Sequence, residues 1–179
     1  MLPLARPVRP AIALLLVVMS CAGVSSDGPL SRPNDLGELC APVPPDGSLT
    51  FGLETLTNSA DTDVVVESVR LVEAEGISII ESRIVTISGG QLGGTLVGLR
   101  SGFPPDELPG WSASILAEGA AILPADSTDD VFNLVVGLRL DSGSSMGTAS
   151  GLEVAYSVKS SHYTYRTSNS IELRHEPCS

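Results

Sequence analysis

Apolar and polar residues alternate with a period of two along several stretches of the chain. The clearest stretches are 49–54, 134–140 and 152–159, where apolar side chains occupy every second position. Successive side chains of a β-strand point to opposite faces, so each stretch predicts a strand with one buried face. Further strands are predicted at 64–72, 77–87, 95–99, 112–121, 163–167 and 170–174.

Polar and glycine-rich segments such as 58–61, 88–90 and 141–143 separate these stretches and are typical of turns. No convincing amphipathic helix lies between them. About eight or nine short strands without helices predict an all-β fold, an antiparallel sandwich of two packed sheets, with a closed barrel as the alternative.

The first twenty residues follow a different pattern. Arg6 and Arg9 precede an apolar run over 11–19, and the small residue Ser20 ends it. This is the layout of a secretory signal peptide, and the run is about half of the ~20 residues that a spanning helix needs. We therefore expect residues 1–20 to be a signal peptide and the rest of the chain to contain no spanning helix.

The four residues Val18-Met19-Ser20-Cys21 at the end of this run resemble the lipobox of bacterial lipoproteins. The resemblance implies that Cys21 receives a diacylglyceryl group and becomes the N-terminus after cleavage. The protein would then be held at the outer side of the cell membrane by its lipid, since two acyl chains suffice for stable anchoring. The alternative is an ordinary secretory signal in which Cys21 has no role.

The segment 22–45 is rich in Gly, Ser, Pro and Asp and has no apolar periodicity. Such composition is typical of a flexible tether. The sequence therefore predicts three parts: a lipoprotein signal peptide over 1–20, the lipidated Cys21 with a tether over 21–47, and a β-sandwich domain over 48–179.

Two stretches of the domain resemble known proteins. FGLETLTNSADTDVVVESVRL, which ends at Leu71, and GLEVAYSVKSSHYTYRTSNSIEL, which ends at Leu173, are similar to the immunoglobulin-like lipoproteins of high-GC Gram-positive bacteria. This resemblance implies an immunoglobulin-like β-sandwich of about seven to nine strands. Its motifs are structural, so it supplies no functional residues, and Trp111 is expected in a loop instead of in the core.

Two cysteines remain if Cys21 carries lipid. Cys40 precedes the predicted domain and Cys178 lies next to its end. In an oxidising compartment outside the cytoplasm, a disulfide between them is the expected pairing. Two free thiols are the alternative.

The charge of the chain excludes one class of partner. Ten Lys and Arg against twenty-one Asp and Glu give a net charge of −11, and the cations are scattered along the sequence. Because nucleic-acid binding depends on clustered cations that neutralise phosphates, we expect no nucleic-acid partner.

Candidate catalytic and metal-binding residues are few. His162 and His175 show none of the spacings of metal-binding motifs, and the acidic segment 126–130 lacks the Gly and the distal Glu of an EF-hand loop. Residues 143–147 do not form a nucleophile elbow and are predicted to be a flexible loop. We therefore predict that the protein is not an enzyme and needs no metal or cofactor.

The segment 103–111 combines three prolines with Phe103, Leu108 and Trp111. Such a stiff aromatic loop suits partner binding because little entropy is lost when it binds. Alternatively, Phe103 and Trp111 cap one open end of the sandwich.

Two functional hypotheses follow. The first is a non-catalytic lipoprotein of the cell envelope that binds another envelope protein or a cell-wall component through its loops. The second is a carrier of a small ligand or of a metal such as copper. The second has less support, because Met146 is the only methionine of the predicted domain and copper sites need closely placed Met, His or Cys ligands.

Overall fold

The structure is a computed structural model that describes residues 28–31, 37–88, 97–105, 107–167 and 169–178. Within these residues the regular elements are thirteen β-strands and two 3-10 helices, at Trp111–Ala113 and Ala125–Ser127. The strands are β1 (Leu30–Ser31), β2 (Glu38–Pro42), β3 (Ser48–Asn58), β4 (Val64–Val72), β5 (Ile77–Ile87), β6 (Gly98–Ser101), β7 (Ile115–Leu116), β8 (Ala121–Ile122), β9 (Val131–Leu140), β10 (Met146–Ala149), β11 (Gly151–Val158), β12 (Ser161–Arg166) and β13 (Ser170–Arg174).

The strands form three sheets. A six-stranded sheet has the order β1-β3-β9-β5-β7, with β6 also paired to β3, and a four-stranded sheet has the order β12-β11-β4-β8. A three-stranded sheet has the order β10-β13-β2. All pairs are antiparallel except β2 with β13, which is parallel. The predicted all-β fold with antiparallel sheets is confirmed.

Seven strands form the frame of the sandwich. In chain order they are β1, β3, β4, β5, β9, β11 and β12, and their sheet orders β1-β3-β9-β5 and β4-β11-β12 match the A-B-E-D and C-F-G sheets of an immunoglobulin constant-type sandwich. The thirteen strands exceed the predicted seven to nine because six further strands, of only two to five residues each, add to this frame.

The core lies between the six-stranded and four-stranded sheets. Alternate residues of β9 from Phe132 to Leu140 face it, as do Leu152, Val154 and Tyr156 of β11. Tyr156 is fully buried, its ring stacks on that of Tyr163 directly opposite on β12, and its hydroxyl accepts a hydrogen bond from the backbone N–H of Leu30. The period-two pattern thus fixes which face of each long strand is buried.

The last four strands form one long, bent hairpin. β11 pairs with β12 in the four-stranded sheet, and their extensions β10 and β13 pair with each other in the three-stranded sheet. The bend lies at Gly151 on one strand and Thr167 on the other, and the Thr167 hydroxyl accepts a hydrogen bond from the N–H of Leu152 at this point. Of the segment 143–147, which the sequence predicts to be a loop, Met146 and Gly147 belong to β10.

Two further segments differ from the sequence predictions. The single strand predicted at 112–121 is wrong: the chain forms the first 3-10 helix, then β7, then crosses between the sheets to β8. Within the predicted tether, Leu30–Ser31 and Glu38–Pro42 are strands β1 and β2. The described fold therefore begins before Ser48. The signal peptide over 1–20 and Cys21 lie outside the described residues.

Candidate interaction surface

A segment that we call the strap, of which residues 102–105 and 107–114 are described, crosses the outer face of the six-stranded sheet. It leaves β6, where the N–H of Gly102 donates to the Ser48 carbonyl and the Thr50 hydroxyl donates to the Gly102 carbonyl. The N–H of Phe103 donates to the Ser48 hydroxyl. It ends beside β5, where β7 begins. The strap thus runs over β3, β9 and β5 as a third layer.

The sheet provides a seat for the strap. The Phe103 ring lies directly on Gly137 of β9, so closely that a β-carbon there would come within 2.5 Å of the ring. Leu108 and Trp111 pack on a second small core formed by Val85, Val97 and Val135.

The far end of the strap is fixed by Arg83 of β5. Its guanidinium lies 5.4 Å from the centre of the Trp111 ring and donates hydrogen bonds to the hydroxyl and carbonyl of Ser114. The Ser114 hydroxyl in turn donates to the Trp111 carbonyl at 2.6 Å. Phe103 meets Trp111 edge-on, with ring centres 5.6 Å apart.

The structure thus brings the three predicted loop residues, Phe103, Leu108 and Trp111, together on their own sheet. All three are half-buried. Phe103 and Trp111 do fold back, but they cover a sheet face instead of capping an open end of the sandwich as proposed from the sequence. The reason is the glycine at position 137, which leaves room for a ring on that face.

An open cleft of about 360 Å³ lies beside the strap. It is lined by Arg100 and Ser101 at the end of β6 and by Pro105 and Glu107 of the strap. A cation and an anion therefore line one polar depression.

The outer face of the four-stranded sheet, in contrast, carries a row of charges. Glu153 of β11 lies opposite Arg70 of β4 on one side and opposite Arg166 of β12 on the other. Both arginines form salt bridges with its carboxylate, and only 4% of the Glu153 side chain is exposed, against 67% and 62% for the arginines. Burial disfavours ionisation of Glu153, but the hydrogen bonds and charges of Arg166 and Arg70 outweigh it, so its pKa is lowered.

The two histidines lie apart from each other. His162 of β12 pairs with Glu67 of β4 at 2.8 Å, and His175 is exposed beyond β13. In the part of the chain that the structure describes, no three His, Cys, Asp or Glu side chains are grouped closely enough to hold a metal ion.

The predicted disulfide is confirmed. Cys40 of β2 and Cys178 are bonded, with their α-carbons 5.9 Å apart. The bond ties the first part of the fold to its C-terminal end. Over the same described residues, no helix is long and apolar enough to cross a membrane.

The cleft and the start of the described chain lie at opposite ends of β3. Gly28 packs against the Tyr156 hydroxyl and the Tyr163 ring, and Leu30 pairs with Asn58 at the end of β3. Ser101, which lines the cleft, pairs with Leu49 at its beginning. These positions are nine residues apart on β3, or about 30 Å at the usual rise of a strand.

Neither the cleft residues Arg100 and Glu107 nor the charged row around Glu153 is evident from the sequence pattern. The alternation in β11 does place Glu153 on the outer face. Its two arginine partners depend on the register of strands distant in sequence, and nothing in the local pattern reports that register.

The sequence matches no known protein-family model and no curated protein.

Proposed function

We propose that this protein is a lipid-anchored, non-catalytic binding module of the cell envelope. It binds an envelope protein or a cell-wall component at the cleft beside the strap. The observation that carries this proposal is the position of the cleft, about 30 Å along β3 from the N-terminal start of the fold.

Two features support an exported and anchored protein. Cys40–Cys178 is a disulfide of the kind that persists in oxidising compartments. Cys21 precedes the first described residue, Gly28, by only seven positions. Even fully extended, seven residues span no more than about 25 Å. A lipid on Cys21 would thus hold this end of the sandwich close to the membrane, with the cleft directed away from it.

The contacts at the two ends of the strap support binding at the cleft. Residues Pro105 and Glu107 lie on a segment whose ends are fixed by hydrogen bonds to Ser48 and by the stacking of Arg83 on Trp111. A segment that is fixed at both ends loses less conformational entropy when a partner binds than one with free ends. Arg100 and Glu107 offer a donor and an acceptor to a polar partner such as a peptide or a glycan.

Site-specific photo-crosslinking in cells tests the binding surface. A photo-reactive residue at Glu107 faces the cleft, whereas one at Leu108 would disturb the small core beneath the strap. Lys159, at the turn between β11 and β12, is the matched control at the other end of the molecule. We expect one envelope protein or wall fragment to be captured from position 107 and not from 159, and Arg100→Ala to reduce its yield. Equal capture from both positions would contradict the proposal.

Anchoring is tested separately. Cells are fed a radiolabelled or alkyne-tagged fatty acid, and the full chain is compared with Cys21→Ser. We expect lipid label and membrane sedimentation for the natural chain and the loss of both in the variant. If the natural chain carries no label, the lipid anchor on Cys21 is excluded. The crosslinking result would still test binding at the cleft, because it does not depend on the anchor.

A further inference from the structure

The two sulfurs of the Cys40–Cys178 disulfide have different surroundings. Cys40 belongs to β2 and is half-buried, whereas Cys178 lies beyond the end of β13 and is exposed. Thiol–disulfide exchange begins when a thiolate attacks one sulfur and the other sulfur leaves as a thiolate. Because access helps to determine which sulfur is attacked, a thiolate from solvent should react at Cys178. Cys40 is then the sulfur that must accept the negative charge.

Glu172 places a carboxylate beside that sulfur. It lies directly opposite Cys40 in the parallel pair of β2 and β13, and its Oε1 atom is 3.5 Å from the Cys40 Sγ atom. The same oxygen forms a salt bridge with Arg174, two positions further along β13. Only 21% of the Glu172 side chain and 27% of the Arg174 side chain are exposed, so water and salt screen their charges less than at an open surface.

We propose that Glu172 controls thiol–disulfide exchange at this bond: an incoming thiolate attacks Cys178, and the Glu172 carboxylate slows the departure of Cys40. In the first step the attacking sulfur forms a bond to Cys178, and the Cys40 thiolate leaves with the electron pair of the old bond and takes a proton from water. A second thiolate then attacks the reductant's sulfur in the mixed disulfide and releases Cys178. Two reductant thiols thus become one disulfide while both cysteines are reduced.

The opposite direction of attack is disfavoured by the same carboxylate. A thiolate that approaches Cys40 must reach a half-buried sulfur and come close to Glu172, which repels it. Glu172 therefore slows both routes. The bond joins positions 138 apart, so slow exchange keeps β2 attached to the C-terminal end of the fold. This property depends neither on the cleft nor on a lipid at Cys21, and the inference therefore extends beyond the proposed function.

The rate at which dithiothreitol reduces the full chain tests the proposal. Samples are quenched with acid and alkylated, and peptide mass spectrometry reports Cys40 and Cys178 separately from Cys21. We expect Glu172→Gln to be reduced about threefold to fivefold faster than the natural chain, because ~1 kcal/mol of repulsion between unit charges about 4 Å apart in water corresponds to about fivefold and the reacting charge is shared among three sulfurs. An unchanged or lower rate would overturn the proposal.

Arg174→Gln is the matched variant that separates charge from a loosened sheet. Both substitutions break the same salt bridge, but this one removes the cation and leaves the carboxylate beside Cys40 without its counter-charge. We therefore expect slower reduction than in the natural chain, and no change for Glu67→Gln on the four-stranded sheet. Faster reduction of both Glu172→Gln and Arg174→Gln would assign the effect to the lost salt bridge and refute control by the carboxylate.

The direction of attack is measured with a monothiol. The natural chain is exposed briefly to 2-mercaptoethanol and quenched with acid, and the mixed disulfide is located by peptide mass spectrometry. We expect the adduct on Cys178 and a free thiol on Cys40. An adduct mainly on Cys40 would contradict the proposed route.

Discussion

Lys159 is one of two non-glycine residues with a positive φ, here 56°, among those that the structure describes. It occupies the turn between β11 and β12. A side chain in this left-handed region costs roughly 1 kcal/mol, whereas glycine adopts it freely.

Replacing Lys159 by glycine should therefore stabilise the protein by about 0.5–1 kcal/mol, because relief of the strain exceeds the added freedom of the unfolded chain. Urea unfolding at constant m-value measures the change. Lys159→Ala keeps the β-carbon and is expected to give no gain. Equal gains from both variants would assign the effect to loss of the lysine itself.

Glu153 gives a prediction about pH. Its folded pKa lies below the ordinary value of 4.5, so its ionisation stabilises the fold above about pH 4.5 and this contribution is lost as the pH falls through the folded pKa. Glu153→Gln leaves both arginines without their buried counter-charge.

We expect Glu153→Gln to lower the free energy of unfolding at pH 7 by on the order of 1–3 kcal/mol, and the gap from the natural chain to narrow below pH 4.5. Chemical unfolding at several pH values measures it. Glu67→Gln, at a more exposed pair, serves as control and should cost less than about 1 kcal/mol. A gap that is constant from pH 7 to 3 would contradict the assigned role of the carboxylate.

At the scale of the element, the strap depends on the contact between Phe103 and Gly137. Gly137→Ala places a methyl group where the ring lies and should cost about 1–3 kcal/mol. The displaced strap should also shift the fluorescence of Trp111, the chain's single tryptophan. Phe103→Ala provides the matched variant. The double variant should lose less stability than the sum of the two single losses, because without the Phe103 ring the added methyl group meets no clash. Strict additivity would show that the two residues do not touch.

Long strands were predictable from sequence, and short ones were not. The bounds of β4 and β5 agree with the predicted 64–72 and 77–87, because nine and eleven residues carry a local pattern of their own. β1 and β2 lie within a Pro- and Gly-rich stretch and become strands only by pairing with β3 and β13, far along the chain. The 112–121 stretch failed for the opposite reason, since its apolar residues serve two different sheets.

The candidate site was also only partly predictable from the sequence. The sequence singled out Phe103, Leu108 and Trp111 by composition, and the structure does place them together. Leu108 and Trp111 pack against Val85, Val97 and Val135, and the cleft beside the strap is lined in part by Arg100 and Glu107. These contacts join segments whose register is determined by the whole sheet.

At the scale of the molecule, the disulfide closes almost the entire fold. Cys40 and Cys178 are 138 positions apart, and the chain-entropy treatment gives roughly 5 kcal/mol for so large a loop. We expect the reduced protein, or the variant with both Cys40 and Cys178 changed to serine, to unfold at a clearly lower denaturant concentration than the oxidised natural chain. Reductant should have no effect on the double variant, and an unchanged midpoint for the natural chain after reduction would contradict this estimate.

The same bond determines how the molecule responds to force. If a bound partner pulls the sandwich while its N-terminus is held, the load passes first into β1, which has only two residues paired with β3. At Cys40 the load divides, because the covalent bond carries part of it to the C-terminal end while the rest continues into β2. The twelve residues from Gly28 to Cys40 have a contour length of roughly 40 Å, so the molecule can lengthen by less than this before β2 and β13 share the load.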